Sequence, residues 1–142
     1  MDGLEQDKQV VTGFFTALND RRMDLAGRYL APDVVDHNKI IFGEPDEPGA
    51  ALDGFRQQLD AFGTGRLDPQ ELIAEDVRVV ARVLASGVHT GYHPRMPEPT
   101  HRPFQVEQIW VFTVGDDRIT EIRGVADRLG MFLQLGWDWP TE

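Results

Sequence analysis

Residues 104–127, FQVEQIWVFTVGDDRITEIRGVAD, decide the fold. Two runs rich in aromatic and β-branched residues flank Val114-Gly115-Asp116-Asp117, a turn signal, so the stretch reads as a β-hairpin. Residues two apart on a strand share a face. Gln108, Trp110 and Phe112 therefore line one side of the first arm, with Glu107, Ile109 and Val111 on the other. On the second arm Thr120, Ile122, Gly124 and Ala126 make one row, and Glu121, Arg123, Val125 and Asp127 the next. Gly124 stands out, because glycine weakens a strand interior and something must favour the missing side chain. Either the gap enlarges a pocket or admits a bulky neighbour such as Trp110, or it only relieves crowding or marks a bulge.

Working outward, LDPQELIAE at 67–75 and DVRVVARVLASGVHTG at 76–91 supply two more strands, joined at Ala74-Glu75-Asp76. The connection HTGYHPRMPEPTHRP at 89–103 carries four prolines and reads as irregular. Before the strands come helices. Val10, Val11, Phe14, Phe15 and Leu18 share one helical face, and the pattern stops at Asn19-Asp20. A shorter helix spans 23–30, and a third places Leu52, Phe55, Leu59 and Phe62 on one side. Between them VVDHNKIIF, 34–42, suits a strand or extended segment, and GEPDEPG, 43–49, a loop. DRLGMFLQLG at 127–136 is a short closing helix, and WDWPTE at 137–142 a tail in which Trp137 and Trp139 are candidates for subunit contact.

Helices followed by an antiparallel meander predict an α+β fold: a curved antiparallel sheet packed on three N-terminal helices, plus a short C-terminal helix. Curling such a sheet around amphipathic helices leaves an apolar interior open at one end, the shape of a small-molecule pocket. With 142 residues and no internal repeat, the chain is expected to be one domain, 1–142.

Composition narrows the function classes. There are no cysteines, which excludes disulfides, thiolate metal sites and a cysteine nucleophile. Net charge is −10 with no basic stripe, so nucleic acid and anionic membrane are not expected partners. No run approaches the roughly 18 apolar residues of a membrane span. The polar N-terminus lacks the regions of a secretory signal, which predicts a cytoplasmic protein. No G-x-S-x-G, P-loop or G-x-G-x-x-G occurs.

The candidates for chemistry cluster in three places. Asp127 stands where strand meets helix; it is a good N-cap, and at a pocket rim it is also a candidate proton carrier if buried beside Trp110. Asp36-His37-Asn38 puts three hydrogen-bonding side chains into an apolar segment, where histidine can transfer a proton and asparagine can orient a carbonyl. Asn and Asp also end strands and build turns. His89, His93 and His101 suggest no metal, because the proline-rich segment around them fixes no ligand geometry. His89 ties down a strand end or reaches a pocket.

The order of elements, with DHN at 36–38, GVHTGY at 87–92, PTHRPFQVEQIWVF at 99–112 and DDRITEIRGVADRLGMFLQLG at 116–136, resembles the SnoaL-like polyketide cyclase family. These proteins share the nuclear transport factor two fold, a cone-shaped α+β half-barrel, and the resemblance covers residues 4–136. It implies a cofactor-free protein with a deep apolar cavity for a small hydrophobic, polyketide-like molecule, forming a homodimer or higher oligomer through the open sheet face. The founding members close a ring by intramolecular aldol addition, with a carboxylate near the end of the last strand beside a strand bearing Gln and His. Gln108 matches the Gln, Trp110 stands in place of the His, and Gly124 in place of the acid. The resemblance thus implies cyclisation or isomerisation by acid–base positioning, with His37 and Asp127 as catalytic candidates. Asn38, His89, Gln108, Trp110, Gly124 and Phe14 are the expected substrate contacts. A binding protein without the acid is the alternative reading. An epoxide-opening enzyme using Arg123 and Asp127 is a further one.

Overall fold

The computed structural model describes residues 2–41 and 43–138, with Trp139 outside that range. Helix α1 runs Gly3–Asn19 and starts at Asp2, whose carboxylate accepts from the Glu5 amide. Its buried face carries Val10, Val11, Phe14, Phe15 and Leu18, the five residues that the spacing picks out. Helix α2, Met23–Arg28, stops two residues short of the expected end, and Leu30 instead opens strand β1, Leu30–Asp36. Helix α4, Ala50–Ala61, buries Phe55 and Leu59, with Phe62 buried just beyond it.

The segment expected to continue as a strand does not. His37–Ile41 is a short helix, α3, and the Asp36 carboxylate accepts from the Asn38 amide at 3.0 Å. The β preference of the Ile-Ile pair loses to this cap, which satisfies an amide that the first helical turn leaves orphaned.

Strands β2 (Arg66–Glu75), β3 (Arg78–Val88), β4 (Pro103–Gly115) and β5 (Arg118–Ala126) form the expected meander, and α5 (Arg128–Gln134) closes the described chain. The sheet has five strands in the order β1-β5-β4-β3-β2. It is not purely antiparallel, because β1 pairs in parallel with β5. The β4–β5 hairpin turns on Asp116 and Asp117, both at positive φ (51° and 61°), the backbone of a two-residue type I′ turn. The curved sheet and its covering helices give the mixed α+β fold that the pattern predicts.

The inward face of the sheet packs on the helices through Val79, Ala81, Val83 and Ala85 of β3 and Phe112 and Val114 of β4, all buried. The β5 row departs from simple alternation. The register shifts between Thr113 and Val114, leaving Thr120 as an extra residue opposite them. The inward row is therefore Ile119, Ile122, Gly124 and Ala126, with both isoleucines fully buried and Thr120 displaced from it. The irregularity sits at Thr120 and not at Gly124. Asn19, at the end of α1, clasps β2: its side-chain amide donates to the Leu67 carbonyl at 2.9 Å and accepts from the Leu67 amide at 2.8 Å. Among the described residues no helix is long and apolar enough to cross a membrane.

Candidate functional site

Gly124 and Trp110 are cross-strand partners, and the indole lies directly over the glycine. A Cβ at position 124 would sit 2.3 Å from Trp110 Cε3, closer than real contacts allow. The reason for the glycine is therefore close approach by a neighbouring ring. A glycine inside a strand costs about 0.5–1 kcal/mol, while full burial of a large apolar side chain gains about 1.5–3 kcal/mol. Half-burial of Trp110 leaves the second effect ahead.

Trp110 joins an aromatic stack. Its ring centroid is 5.0 Å from that of Phe55 and 6.2 Å from that of Phe112. Phe14 meets Phe55 edge-on at 5.3 Å and Phe15 at 5.7 Å, and is fully buried. At this level the inward space holds ring-to-ring contact. Two surface grooves lie elsewhere. One, of about 430 Å³, runs between α1 and β2 past Thr16, Asn19, Arg66 and Asp68. The other, of about 320 Å³, lies beside Lys39, Glu44 and Asp53.

Next to the stack stands Gln108, only 7% exposed. Its Oε1 accepts from Trp110 Nε1 at 2.9 Å. Because an indole N–H can only donate, this bond fixes the amide's orientation and leaves Nε2, with two hydrogens, as the outward-reaching donor. Among the described residues Nε2 has no hydrogen-bond partner.

The Asp36-His37-Asn38 triplet is split three ways. Asn38 Oδ1 accepts from the Gly124 amide at 3.1 Å, taking the ladder bond that a longer β1 would have made. His37 Nε2 lies 3.0 Å from Glu121 Oε2. Glu121 precedes Ile122 on β5 and so faces the other side of the sheet. The imidazole is thus drawn away from the Gln108 side, and Glu121 is a partner that no local pattern announces. Asp36 pairs in register with Ile122, which in turn pairs with Phe112, so its side chain enters the inward face. It is 6% exposed. Burial pushes its carboxyl above the ordinary range, partly offset by hydrogen bonds from the Asn38 and Lys39 amides. Sequence reasoning names Asp36 within its polar triplet but gives the roles there to His37 and Asn38; the burial of the acid is set by the tertiary pairing of β1 with β5.

Asp127 takes the capping role, with its carboxylate accepting from the Gly130 amide at 2.8 Å, and it is exposed where burial beside Trp110 was envisaged. Arg123 is also exposed, and among the described residues no ion pair joins it to Asp127. His89 is fully buried. Its Nδ1 accepts from the Thr100 amide at 3.2 Å, so it ties the proline loop to β3. Its ring meets Phe62 at 5.6 Å, and that of His93 meets Phe132 at 5.3 Å. Burial, with His89 as neighbour, pushes the His93 imidazole below its ordinary value.

The curved sheet's inward face thus carries the buried Asp36 and Gln108 and, at its edge, the part-buried Asn38, on the side that bears the Trp110 indole. Comparison with known proteins agrees with that architecture. The solved structure of TsrD from Streptomyces laurentii superposes with a TM-score of 0.83 over 96% of this chain and 98% of that one, at 23% identity. In sequence, the chain is 32% identical to the aklanonic acid methyl ester cyclase DnrD of Streptomyces peucetius, covering 80% of this chain and 75% of DnrD. It is 31% identical to the corresponding cyclase DauD of Streptomyces sp. (strain C5), covering 80% and 68%. Residues 8–135 match the family described as SnoaL-like polyketide cyclase, and with nine-tenths of its length accounted for the chain belongs to that family.

Proposed function

We propose that this protein closes a ring in a small polyketide-derived ester by intramolecular aldol addition, without a cofactor, on the inward corner built by Gln108, Trp110 and Asn38. The likeness to two aklanonic acid methyl ester cyclases over most of the chain supports the substrate class. The observation that carries the chemistry is the free Nε2 of Gln108, a nearly buried amide whose other end is locked by Trp110. An enolate or alkoxide formed beside it would gain two preset N–H donors in a water-poor site, where such donors act most strongly. The half-buried Trp110 indole, backed by Phe55, offers an aromatic surface for a fused-ring ligand. Asn38, anchored on the Gly124 amide, holds α3 against β5 and so shapes the mouth.

The test is conversion of aklanonic acid methyl ester by the purified protein, followed by chromatography of the ring-closed product. Gln108→Leu should lower kcat by about 10²-fold or more with KM little changed, the signature of a donor used in the transition state. Equal losses in kcat/KM from KM alone would mean that Gln108 only binds.

Gly124 at the last-strand position favours a second reading, a ligand-binding protein that does not turn its ligand over. Saturable binding of the same ester with no product at any pH would select it.

The outer sheet face supports association of two copies of the chain. Ile73 is 59%, Ile109 41% and Val125 76% exposed there, and Ile109 and Val125 are cross-strand partners, so they make one continuous apolar spot.

A further inference from the structure

We infer that Asp36, on the first strand, is the group that moves the proton in this protein, in place of an acid on the last strand. This rests on the cyclase reading above. Three independent observations carry it. First, the buried polar side chains among the described residues are Asp36, His89 and Gln108, so Asp36 is the one buried carboxylate. Second, the parallel register sets Asp36 beside Ile122, two residues before Gly124 on the same inward row. A carboxylate absent from β5 is thus supplied from the adjacent strand, into the same face that bears Gln108. Third, Asp36 is wired to the vacated position: its Oδ1 accepts from the Asn38 amide at 3.0 Å, and Asn38 in turn accepts from the Gly124 amide.

A plain helix cap would account for the Asn38 bond but not for the burial, since caps are ordinarily solvated. Nor does a cation neutralise the group. The Lys39 charge favours the ionised carboxylate, but its ammonium pairs with Glu44 at 2.8 Å, and among the described residues no ion pair involves Asp36. Of the other charges around it, Asp46 in the following loop raises its affinity for a proton. Glu121 on β5 is held by His37 on the opposite face, Asp53 and Arg56 on α4 pair with each other in solvent, and Asp24 and Arg28 on α2 are exposed. A carboxyl raised in this way is better matched to removing a carbon-bound proton near neutral pH than an ordinary one.

The step balances within one substrate molecule. The Asp36 carboxylate takes the proton from a carbon next to the ester carbonyl, giving a neutral acid and an enolate. The enolate carbon attacks a ketone carbon of the same molecule; a C–C bond forms and the C=O π pair moves to oxygen. The alkoxide recovers the proton from Asp36, leaving an alcohol and the original carboxylate.

The experiment follows deuterium exchange at that carbon and ring closure of aklanonic acid methyl ester in D₂O, alongside ¹³C NMR titration of the Asp36 carboxyl. Asp36→Asn should lose at least 10³-fold in both exchange and closure, while Gln108→Leu loses closure more than exchange. Asp36→Glu should restore part of both. Wild-type turnover should rise with pH through the same raised value that NMR gives for Asp36, because the base works ionised. Stability supplies the control. A carboxyl raised on folding binds its proton more tightly in the native state, so between its unfolded and folded values stability falls as pH rises. Asp36→Asn, which keeps a good cap residue, should therefore be at least as stable as wild type at neutral pH. Exchange retained in Asp36→Asn, an Asp36 carboxyl titrating in the ordinary range, or loss confined to Asp127→Asn or His37→Ala would each overturn the assignment while leaving the cyclase reading intact. A wild type that neither exchanges nor closes the ester would sink both.

Discussion

At the scale of single residues, the pair Trp110 and Gly124 shows a backbone position defined by what lies on top of it. Gly124→Ala forces a methyl group into the indole benzo ring, and overpacking of this kind costs about 1–3 kcal/mol. The cost should nearly vanish in a Trp110→Leu background. Denaturant unfolding of the four proteins in that cycle should return a coupling of about 0.5–3 kcal/mol. A Gly124→Ala protein as stable as wild type would mean that the ring yields freely. The sequence marks Trp110 as a bulky group that the gap at Gly124 could admit, but counting out from the turn alone sets it opposite Arg123, and the extra residue at Thr120 moves it to Gly124. The other contact of Gly124, with Asn38, was not legible. The two residues are 86 apart, and no periodicity links them. For the same reason the partner of His37 was invisible, since Glu121 belongs to a strand whose neighbour is chosen by tertiary packing.

Among the elements, those built on local signals followed expectation. The face of α1, the hairpin and the cap of α5 each depend on residues within a few positions of one another. The exceptions have physical causes. Residues 37–41 carry β-preferring isoleucines, yet the cap at Asp36 turns them into α3. The bulge at Thr120 depends on a side chain reaching back across the hairpin, with its hydroxyl donating to the Thr113 carbonyl at 3.2 Å. A short pattern cannot announce such a bond. Asn19, read only as the end of a helical pattern, turns out to join α1 to β2 through both backbone groups of Leu67. Asn19→Ala leaves two part-buried backbone groups unpaired and should cost about 1–3 kcal/mol. Asn19→Asp retains the acceptor for the Leu67 amide but loses the donor, and should fall between. Chemical denaturation of the three proteins checks the order; an alanine variant within about 0.5 kcal/mol of wild type would show that water replaces the clasp.

The whole molecule presents two unlike sheet faces, one filled by helices and one open. The open face is not uniformly apolar: Arg82 bridges Glu71 and Glu107 at 2.8 and 2.7 Å. Such exposed pairs contribute little stability, but they restrict which partner surface can lie against them. If two copies meet there, analytical ultracentrifugation should find twice the chain mass. Val125→Glu combined with Ile109→Glu should then give the single-chain mass while circular dichroism stays unchanged. A wild type that sediments as one chain down the whole concentration range would remove the sheet face as an interface.

The parallel pairing of β1 with β5 has a consequence in time. Strand β5, residues 118–126, must leave the ribosome before the segment 30–36 finds anything to lie along, so the N-terminal helices can form long before that edge of the sheet does. A chain stalled or clipped before β5 would carry Asp36 and Asn38 on a loose end. The inward position of Asp36 is thereby withheld until β5 has been made.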